Sequence, residues 1–475
     1  MKKIKSISLW LCVGLCWLNA CKIPALETRI ENRSLPEGYL KPSADSLDQA
    51  SLNWRQYFKD EHLIALIDTA LKNNQEIQII GREIEIARNE IRSRKGDYLP
   101  SGNVGLGFGV DRSGEYTFNG MSEKDIQDKQ GELPRYVGDH ALMANFSWEV
   151  DIWRKLHNAK DAAVKRYLSS VDGRNFAVTE LVSEIAAAYY ELLVLDNELA
   201  IVERNASIQK DALDMVRVQK DAAKLNQLAV NRFEAQWMNT RNLRYDILQE
   251  MVVLENKINY LLARSPQTIQ RTQVDLSGLN LLPLQSGYPT QLLSNRADVK
   301  QAEHELEAAK LDVKVARANF YPSLTLRAGV GFQSYNPLYL FDPKSLAFGI
   351  LGDAMAPLIN RNNLKALYGN AGSRQMQAVV KYEQTLLRAY VEVVNQLNGT
   401  ENFTESFKTK NRQVEVLNES IDISNSLFKS ARADYTEVLL TQREALEAKM
   451  ELIEIKRKQL LASINLYKAL GGGWQ

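Results

Sequence analysis

Cysteine is scarce in this chain of 475 residues. Cys12, Cys16 and Cys21 are its three copies, all near the start. Beyond them there is no disulfide, no thiol nucleophile and no thiolate metal ligand. Histidine is nearly as rare, and His62, His140, His157 and His304 are scattered without ligand spacing, each reading as a surface residue. His304-Glu305 lacks the second histidine that a zinc-protease helix needs. Proline is absent from residues 135–265 and from residue 358 to the end. The commonest helix breaker is therefore missing from two long stretches. No apolar run long enough for a spanning helix follows the first 21 residues, so a membrane crossing would have to use strands. Net charge is missing too, with 59 bases against 58 acids. Without Lys2, Lys3 and Lys5 the balance is 56 against 58, or −2. Nothing in that balance calls for nucleic acid. No catalytic residue, metal site or cofactor is expected.

What is present is a repeat. Residues 83–101, EIEIARNEIRSRKGDYLPS, align without a gap with residues 305–323, ELEAAKLDVKVARANFYPS, 222 positions later. Each copy reads as an amphipathic helix that runs into an aromatic-x-Pro-Ser or aromatic-Pro-Ser turn and then a glycine-rich alternating strand. A unit of half the chain is too long for a solenoid, so one structural unit is used twice. Four segments read as strands: 104–111, 142–150, 324–335 and 346–355. Gly105, Gly107 and Gly109 alternate within the first, and Gly329 and Gly331 within the third, which fits strand packing better than a phosphate loop. Each segment has the length of a tilted membrane strand. Four strands cannot close a barrel, because the smallest hold about eight. Bare edges are not viable in lipid, so several subunits must share one barrel. The polar connection 112–139 is long and 336–345 is short, and long loops face the cell exterior in such barrels.

The proline-free stretches carry heptads. Ile185, Leu192 and Leu199 alternate with Ala188, Leu195 and Val202. Val414, Ile421, Phe428 and Tyr435 recur with Leu417 and Ala431. Taken alone, such stripes also fit an ordinary coiled coil. Each stretch can hold a hairpin of two long helices. Residues 224–230, KLNQLAV, align with 432–438, RADYTEV, at a shift of 208. Both lie midway along a proline-free stretch, where the helix pair should reverse.

The N-terminus reads as an export signal. Lys2, Lys3 and Lys5 precede a short apolar core over residues 7–17. Leu18-Asn19-Ala20-Cys21 then resembles a bacterial lipobox, in which the cysteine becomes a lipidated N-terminus; Asn19 departs from the usual small residue. The alternative is a plain signal peptide, with Cys21 a free thiol. Lys22 stands where inner-membrane retention signals carry Asp, which leans toward the outer membrane. The expected division is a lipoprotein signal at 1–20, an extended lipidated segment at 21–62, a first repeat at 63–265, an equatorial linker at 266–290 and a second repeat at 291–475.

Several motifs resemble the TolC-like outer-membrane efflux proteins. Trp54-Arg55-Gln56-Tyr57-Phe58-Lys59-Asp60, with Leu63, Leu66, Ile67, Ala70, Leu71, Asn73 and Asn74, looks like that family's opening motif. Arg296-Ala297-Asp298-Val299 and Phe320-Tyr321-Pro322-Ser323 look like its second. The ending Lys468-Ala469-Leu470-Gly471-Gly472-Gly473-Trp474 is close to that of the NodT-type lipoprotein branch. Ala297 departs from the family's usual proline. The resemblance implies a mainly helical fold with a membrane β-barrel. Three identical chains would share a 12-stranded barrel, and their antiparallel hairpins would form a periplasmic α-barrel. A mixed belt would gather residues before Leu63, residues 266–290 and the C-terminal end. It implies as partners a periplasmic adaptor, an inner-membrane RND-type transporter and outer-membrane lipid. The expected function is a passive outer-membrane duct for drugs or other small molecules. A type I protein-secretion duct and a structural coiled-coil lipoprotein are the alternatives.

Two sets of residues are candidates for function. The family's last hairpin carries an acid–Val–Leu–acid pattern, matched here by Glu437-Val438-Leu439-Leu440. Glu437 meets the first acid and Leu440 replaces the second, which expects an apolar ring at that level. Asp434 lies one turn earlier and should share the face of Glu437. Threefold symmetry would make either acid a ring of charge in a narrow pore. A solvated face or a helix cap is the competing reading. The turns supply the adaptor-docking candidates: Lys224, Leu225, Asn226 and Gln227, with Arg432, Ala433 and Tyr435.

Overall fold

The computed structural model describes residues 23–27, 29–36, 38–39, 53–112, 114, 136–275, 278–281, 287, 289–357, 359–430 and 432–474. The expected signal at 1–20, Cys21, most of the connection after the first strand, and Ala431 lie outside the described residues. The helices are α1 (Trp54–Tyr57), α2 (Glu61–Asn73), α3 (Gln75–Asp97), α4 (Lys155–Asp221), α5 (Gln227–Leu261), α6 (Leu292–Asn295), α7 (Ala297–Ala318), α8 (Asn362–Lys429) and α9 (Tyr435–Ala469). The strands are β1 (Ser101–Asp111), β2 (Val137–Val150), β3 (Ser323–Ser334) and β4 (Leu346–Met355). Both halves thus run helix, strand, strand, very long helix, shorter helix.

Two compact units draw on both halves of the chain. One combines Met1–Ile30, Glu85–Leu168 and His304–Val379; the other combines Glu31–Ile84, Ser169–Glu303 and Val380–Gln475. The first holds the antiparallel sheet, in the order β1-β2-β3-β4. β2 begins at Val137, where residue 142 was expected, because Val137–Ala141 continue the ladder against Gly107–Asp111. This segment carries Gly138, Asp139 and His140, so its pairing is set by backbone bonds and not by apolar alternation.

The proline-free sequence forms helices of 67 and 68 residues, each followed by one of 35. The longest run roughly 100 Å at 1.5 Å per residue. α4 and α5 are antiparallel, and their pairs climb like rungs: Arg217–Glu234 at 3.2 Å, Arg244–Glu203 at 2.9 Å and Lys257–Glu184 at 3.0 Å. Lys410–Glu451 and Gln459–Thr404 do the same for α8 and α9. The expected heptad residues Ile185, Ala188, Leu192, Leu195 and Val202 are all buried.

In the second unit the opening motif is an anchor. Asn53 and Asp60 cap α1 and α2. Leu63, Leu66, Ile67 and Ala70 then fall on one buried face of α2. Tyr57 stacks on Tyr467 with ring centroids 4.4 Å apart, and Phe58 meets Tyr467 edge-on at 5.8 Å. The linker is tied down by Arg271, which bonds Asp196 at 2.6 Å and Glu255 at 2.8 Å. Lys456, itself 2% exposed, donates to Asn280 Oδ1 at 2.9 Å and lies 5.0 Å from the Phe407 ring centroid. Burial lowers its ammonium to a pKa of about 8.

The Gly-Gly-Gly-Trp ending closes onto α6. Gly471 has φ +94°, and a Cβ there would lie 2.6 Å from Asn295 O. Trp474 Nε1 donates to the same carbonyl at 3.2 Å. Arg296 next door is buried and bonds Asp298, Glu392 and the Ala469 carbonyl. These contacts hold the break between α6 and α7 without the proline usual at 297; Ala297 is simply the first residue of α7. Gly471→Ala should therefore destabilise the fold by more than about 1 kcal/mol, seen as a lower thermal midpoint by circular dichroism. Gly81→Ala, in open space within α3, should leave that midpoint unchanged or raise it, since alanine favours a helix interior over glycine by up to ~1 kcal/mol.

Candidate functional site

Strand register sorts the sheet into two chemically opposite faces. Consecutive side chains point to opposite sides, so each cross-strand row belongs to one face. The row Val104, Ala144, Val330, Phe348 is apolar, as is Leu106, Leu142, Phe332, Leu346. Trp148, Leu326 and Ile350 continue that face. The alternate rows are mostly small or polar: Gly105, Met143, Gly331, Ala347, then Asn103, Asn145, Gly329, Gly349, and then Ser101, Ser147, Arg327, Leu351, with Met143 and Leu351 as apolar exceptions. Glu149, Thr325 and Asp353 form the next. Arg327 lies 3.6 Å from Asp353. On the apolar face, Phe348 and Ile350 are 80% and 84% exposed. Water would not tolerate such a continuous face; hydrocarbon would.

Aromatic residues stand at both ends of the strands. Trp148 Nε1 donates to Tyr98 O at 3.1 Å, and Trp153 Nε1 to Pro322 O at 2.7 Å. Trp153 stacks on Tyr321 at 4.6 Å. Tyr335, Tyr339 and Phe341 lie exposed near the other end. The two Pro-Ser turns therefore offer carbonyls to indoles from β2 and the residues after it. Their serines also act alike: Ser101 Oγ donates to Ser147 O at 3.1 Å and Ser323 Oγ to Met355 O at 3.5 Å. β1 and β4 each pair on one side only, leaving two bare sheet edges among the described residues.

The helical turns lie in the other unit. In the first, Ala222 N donates to Val218 O at 3.0 Å and Lys224 N to Gln219 O at 2.9 Å. In the second, Ser430 N donates to Ser426 O at 3.2 Å and Arg432 N to Leu427 O at 2.9 Å. Each bond recurs 208 positions later, the shift of the aligned turn sequences. Ala223, with φ +60°, closes the first turn. Asn226 then caps α5, its side chain accepting from Ala229 N at 3.1 Å. Asp434 occupies the matching cap of α9, but its carboxylate takes no capping bond. Gln227 Nε2 bonds Asn231 Oδ1 at 2.9 Å.

The structure brings the two turns into contact. Leu213, Val216, Ala229, Val230 and Phe233 form a small core, and Leu225, Tyr435 and Leu439 pack against it. Lys224, Asn226, Gln227, Arg432, Asp434 and Glu437 are exposed around it; Ala433 is half-buried. Leu440 is 41% exposed. Trp237, not singled out from sequence, lies between Lys210 at 5.3 Å and Arg241 at 5.5 Å. Its one local signal is the cation a turn further along α5. Of the histidines, His62 is exposed and His140, His157 and His304 are partly exposed. His157 pairs with Asp151 at 2.6 Å at the start of α4. Among the described residues no cluster of His, Cys, Asp and Glu could hold a metal. Asn226→Ala should cost roughly 1 kcal/mol at the first turn, and Asp434→Ala less than about 0.5 kcal/mol. Amide hydrogen exchange of residues 227–233 and 435–441 would measure both.

The family described as "Outer membrane efflux protein" matches residues 66–262 and 288–472. The chain is 27% identical over 442 residues to the cation efflux system protein CusC of Escherichia coli, covering 93% of this chain and 92% of that one. It is 25% identical over 442 residues to the toluene efflux pump outer membrane protein TtgC of Pseudomonas putida, covering 92% and 89%. Among solved structures, a crystal structure of CusC superposes with a TM-score of 0.83 at 24% identity, over 94% of this chain and 99% of that one. The open state of the MtrE outer membrane channel of Neisseria gonorrhoeae gives 0.82 at 21%, over 96% and 99%. With helical pairs, a two-faced sheet and both halves matched, this chain belongs to the outer membrane efflux protein family.

Proposed function

We propose that the chain is the outer-membrane duct of a tripartite efflux system, through which small molecules leave the cell. The observation that carries this reading is the two-faced sheet with two bare edges. Its apolar face suits lipid, its polar face suits a water-filled lumen, and its edges call for further strands. Three copies would supply twelve strands. Exposed apolar residues at heptad spacing, such as Met238, Tyr245 and Val252 on α5, support contact between copies. The two halves of each chain, 63–265 and 291–475, then act as repeats around the equatorial linker 266–290. Cys21, lipidated, would anchor the extended N-terminal segment in the outer membrane.

The partners in this reading are a periplasmic adaptor at the helical turns and an inner-membrane RND-type transporter that supplies energy. Relatives named for cations and for toluene differ little in identity to this chain. That fits a duct whose cargo is chosen by the pump. The turns would form the periplasmic gate, with Asp434, Glu437 and Leu440 facing the constriction. Lys224, Leu225, Asn226, Gln227, Arg432, Ala433 and Tyr435 would meet the adaptor.

The face assignment is tested by paired substitutions. Ile350→Arg should cost about 2–4 kcal/mol in lipid and cut the yield of heat-modifiable oligomer in outer-membrane fractions. Asn145→Arg should assemble normally and shift ion selectivity toward anions in planar bilayers; equal assembly of the two would refute the assignment. At the gate, Glu437→Ala should raise single-channel conductance and weaken cation preference. Unchanged conductance and selectivity would remove Glu437 from the constriction.

A further inference from the structure

A cavity of about 440 Å³ opens where α4, α8 and α9 meet. Its lining comes from Ile201 to Gln209 on α4, Val414 to Asp422 on α8 and Gln442 to Leu452 on α9. These positions lie 7–20 residues from the ends of their helices at the turns, or roughly 10–30 Å at 1.5 Å per residue. None of the lining residues is a proposed gate or docking residue, and Gln442 follows Leu440 by two positions on α9.

Its chemistry is unusual for a helix interface. Gln209 and Gln442 are 3% and 4% exposed, and the side-chain oxygen of each has no hydrogen-bond partner. A buried acceptor left unpaired costs about 1–3 kcal/mol, so a donor that reached either oxygen would recover that cost. Arg204 and Lys449 line the same space. Burial, and next the Arg204 charge, lower the affinity of Lys449 for its proton. Neither cation is paired with a carboxylate among the described residues. Two cations therefore face one space against a single carboxylate, Asp422. Ile201, Ile208 and Leu452 supply apolar wall. Asp422 also lines the cavity, adding an acceptor to the pair of amides.

We propose that this three-helix cavity binds an organic anion that also carries a hydrogen-bond donor. Its anionic group would meet Arg204 and Lys449, its hydroxyl or amine would meet the Gln209 and Gln442 oxygens, and its apolar body would lie against the isoleucines. Size and lining match a small-molecule site, in which apolar walls surround a few convergent polar groups. The occupant would bridge α4 of one hairpin to both helices of the other. Binding would thus stiffen the two hairpins against relative movement. The site stands on the cavity alone and does not depend on the duct reading.

The probe is 6-hydroxy-2-naphthoate, which combines a carboxylate, apolar rings and a hydroxyl too far from the carboxylate to bond to it. It is to be measured by equilibrium dialysis against the full chain in detergent, with detergent alone subtracted. Saturable binding is expected, with 2-naphthoate weaker for want of a donor and 2-naphthol weaker still for want of charge. Lys449→Gln should weaken binding about tenfold, equivalent to ~1.4 kcal/mol, while Lys449→Arg retains it. Gln442→Leu should weaken the hydroxylated probe and leave 2-naphthoate unchanged. Circular dichroism separates loss of site from loss of fold; should Lys449→Gln fail to fold, Arg204→Gln, on an exposed side chain, replaces it. Non-saturable uptake, or equal affinity in the wild type and the folded charge-removing variant, overturns the proposal.

Discussion

A backbone amide in hydrocarbon has no water to bond, and in the proposed duct that constraint would shape the sheet of this chain. Four strands satisfy one another internally and leave β1 and β4 open on their outer sides. The side chains then follow the same division. Register places Val104, Ala144, Val330 and Phe348 together and Asn103, Asn145, Gly329 and Gly349 together. An isolated sheet with one such apolar face would need a second layer to cover it. No helix row is required if lipid is the cover, which is why both faces can be open in one chain. The glycines make sense in the same terms. A Cβ at Gly331 would fall 2.1 Å from Leu142 O, so the β2–β3 approach there depends on the missing side chain.

The helical part rests on a different constraint, continuity. Helices of 67 and 68 residues survive because nothing in the sequence interrupts them. Their burial is uneven. Around residues 178–202 α4 is buried on several sides, where α1, α2, the linker and the C-terminal end pack around it. Toward the turns, contact narrows to small clusters such as the one around Phe233. The belt gives lateral support, whereas the outer reaches depend on paired helices and ion-pair rungs. Exposed ion pairs are each worth little, so this region is held less firmly than the belt.

Much of this was legible in the sequence, for identifiable reasons. Strand positions follow from alternation of apolar residues with glycine and polar residues, which has a period of two. Helix extent follows from missing proline. The turns follow from the 208-residue correspondence, which the backbone bonds of Lys224 and Arg432 reproduce. The start of β2 was not legible, because Gly138, Asp139 and His140 pair through backbone groups that carry no side-chain pattern. The packing of Tyr435 and Leu439 against the cluster around Phe233 was not legible either, since it joins residues over 200 positions apart. The capping difference between Asn226 and Asp434 lies in geometry that two similar side chains do not reveal. The cavity residues Gln209 and Gln442 look like ordinary polar interruptions of a heptad until their burial is known.

Lys456 carries one further implication. It is held by the amides of Asn280 and Gln459 and by the ring of Phe407, with no acid bonded to it among the described residues. The unfolded chain keeps this proton up to the ordinary lysine range near 10.5, whereas the folded chain releases it near pH 8. Between those values the unfolded state binds more protons, so this group adds stability as pH rises. Its contribution makes mildly alkaline surroundings favour the belt, and acidification toward neutrality charges a lysine inside it. The segment around Asn280 is thereby tied to the proton concentration of its surroundings.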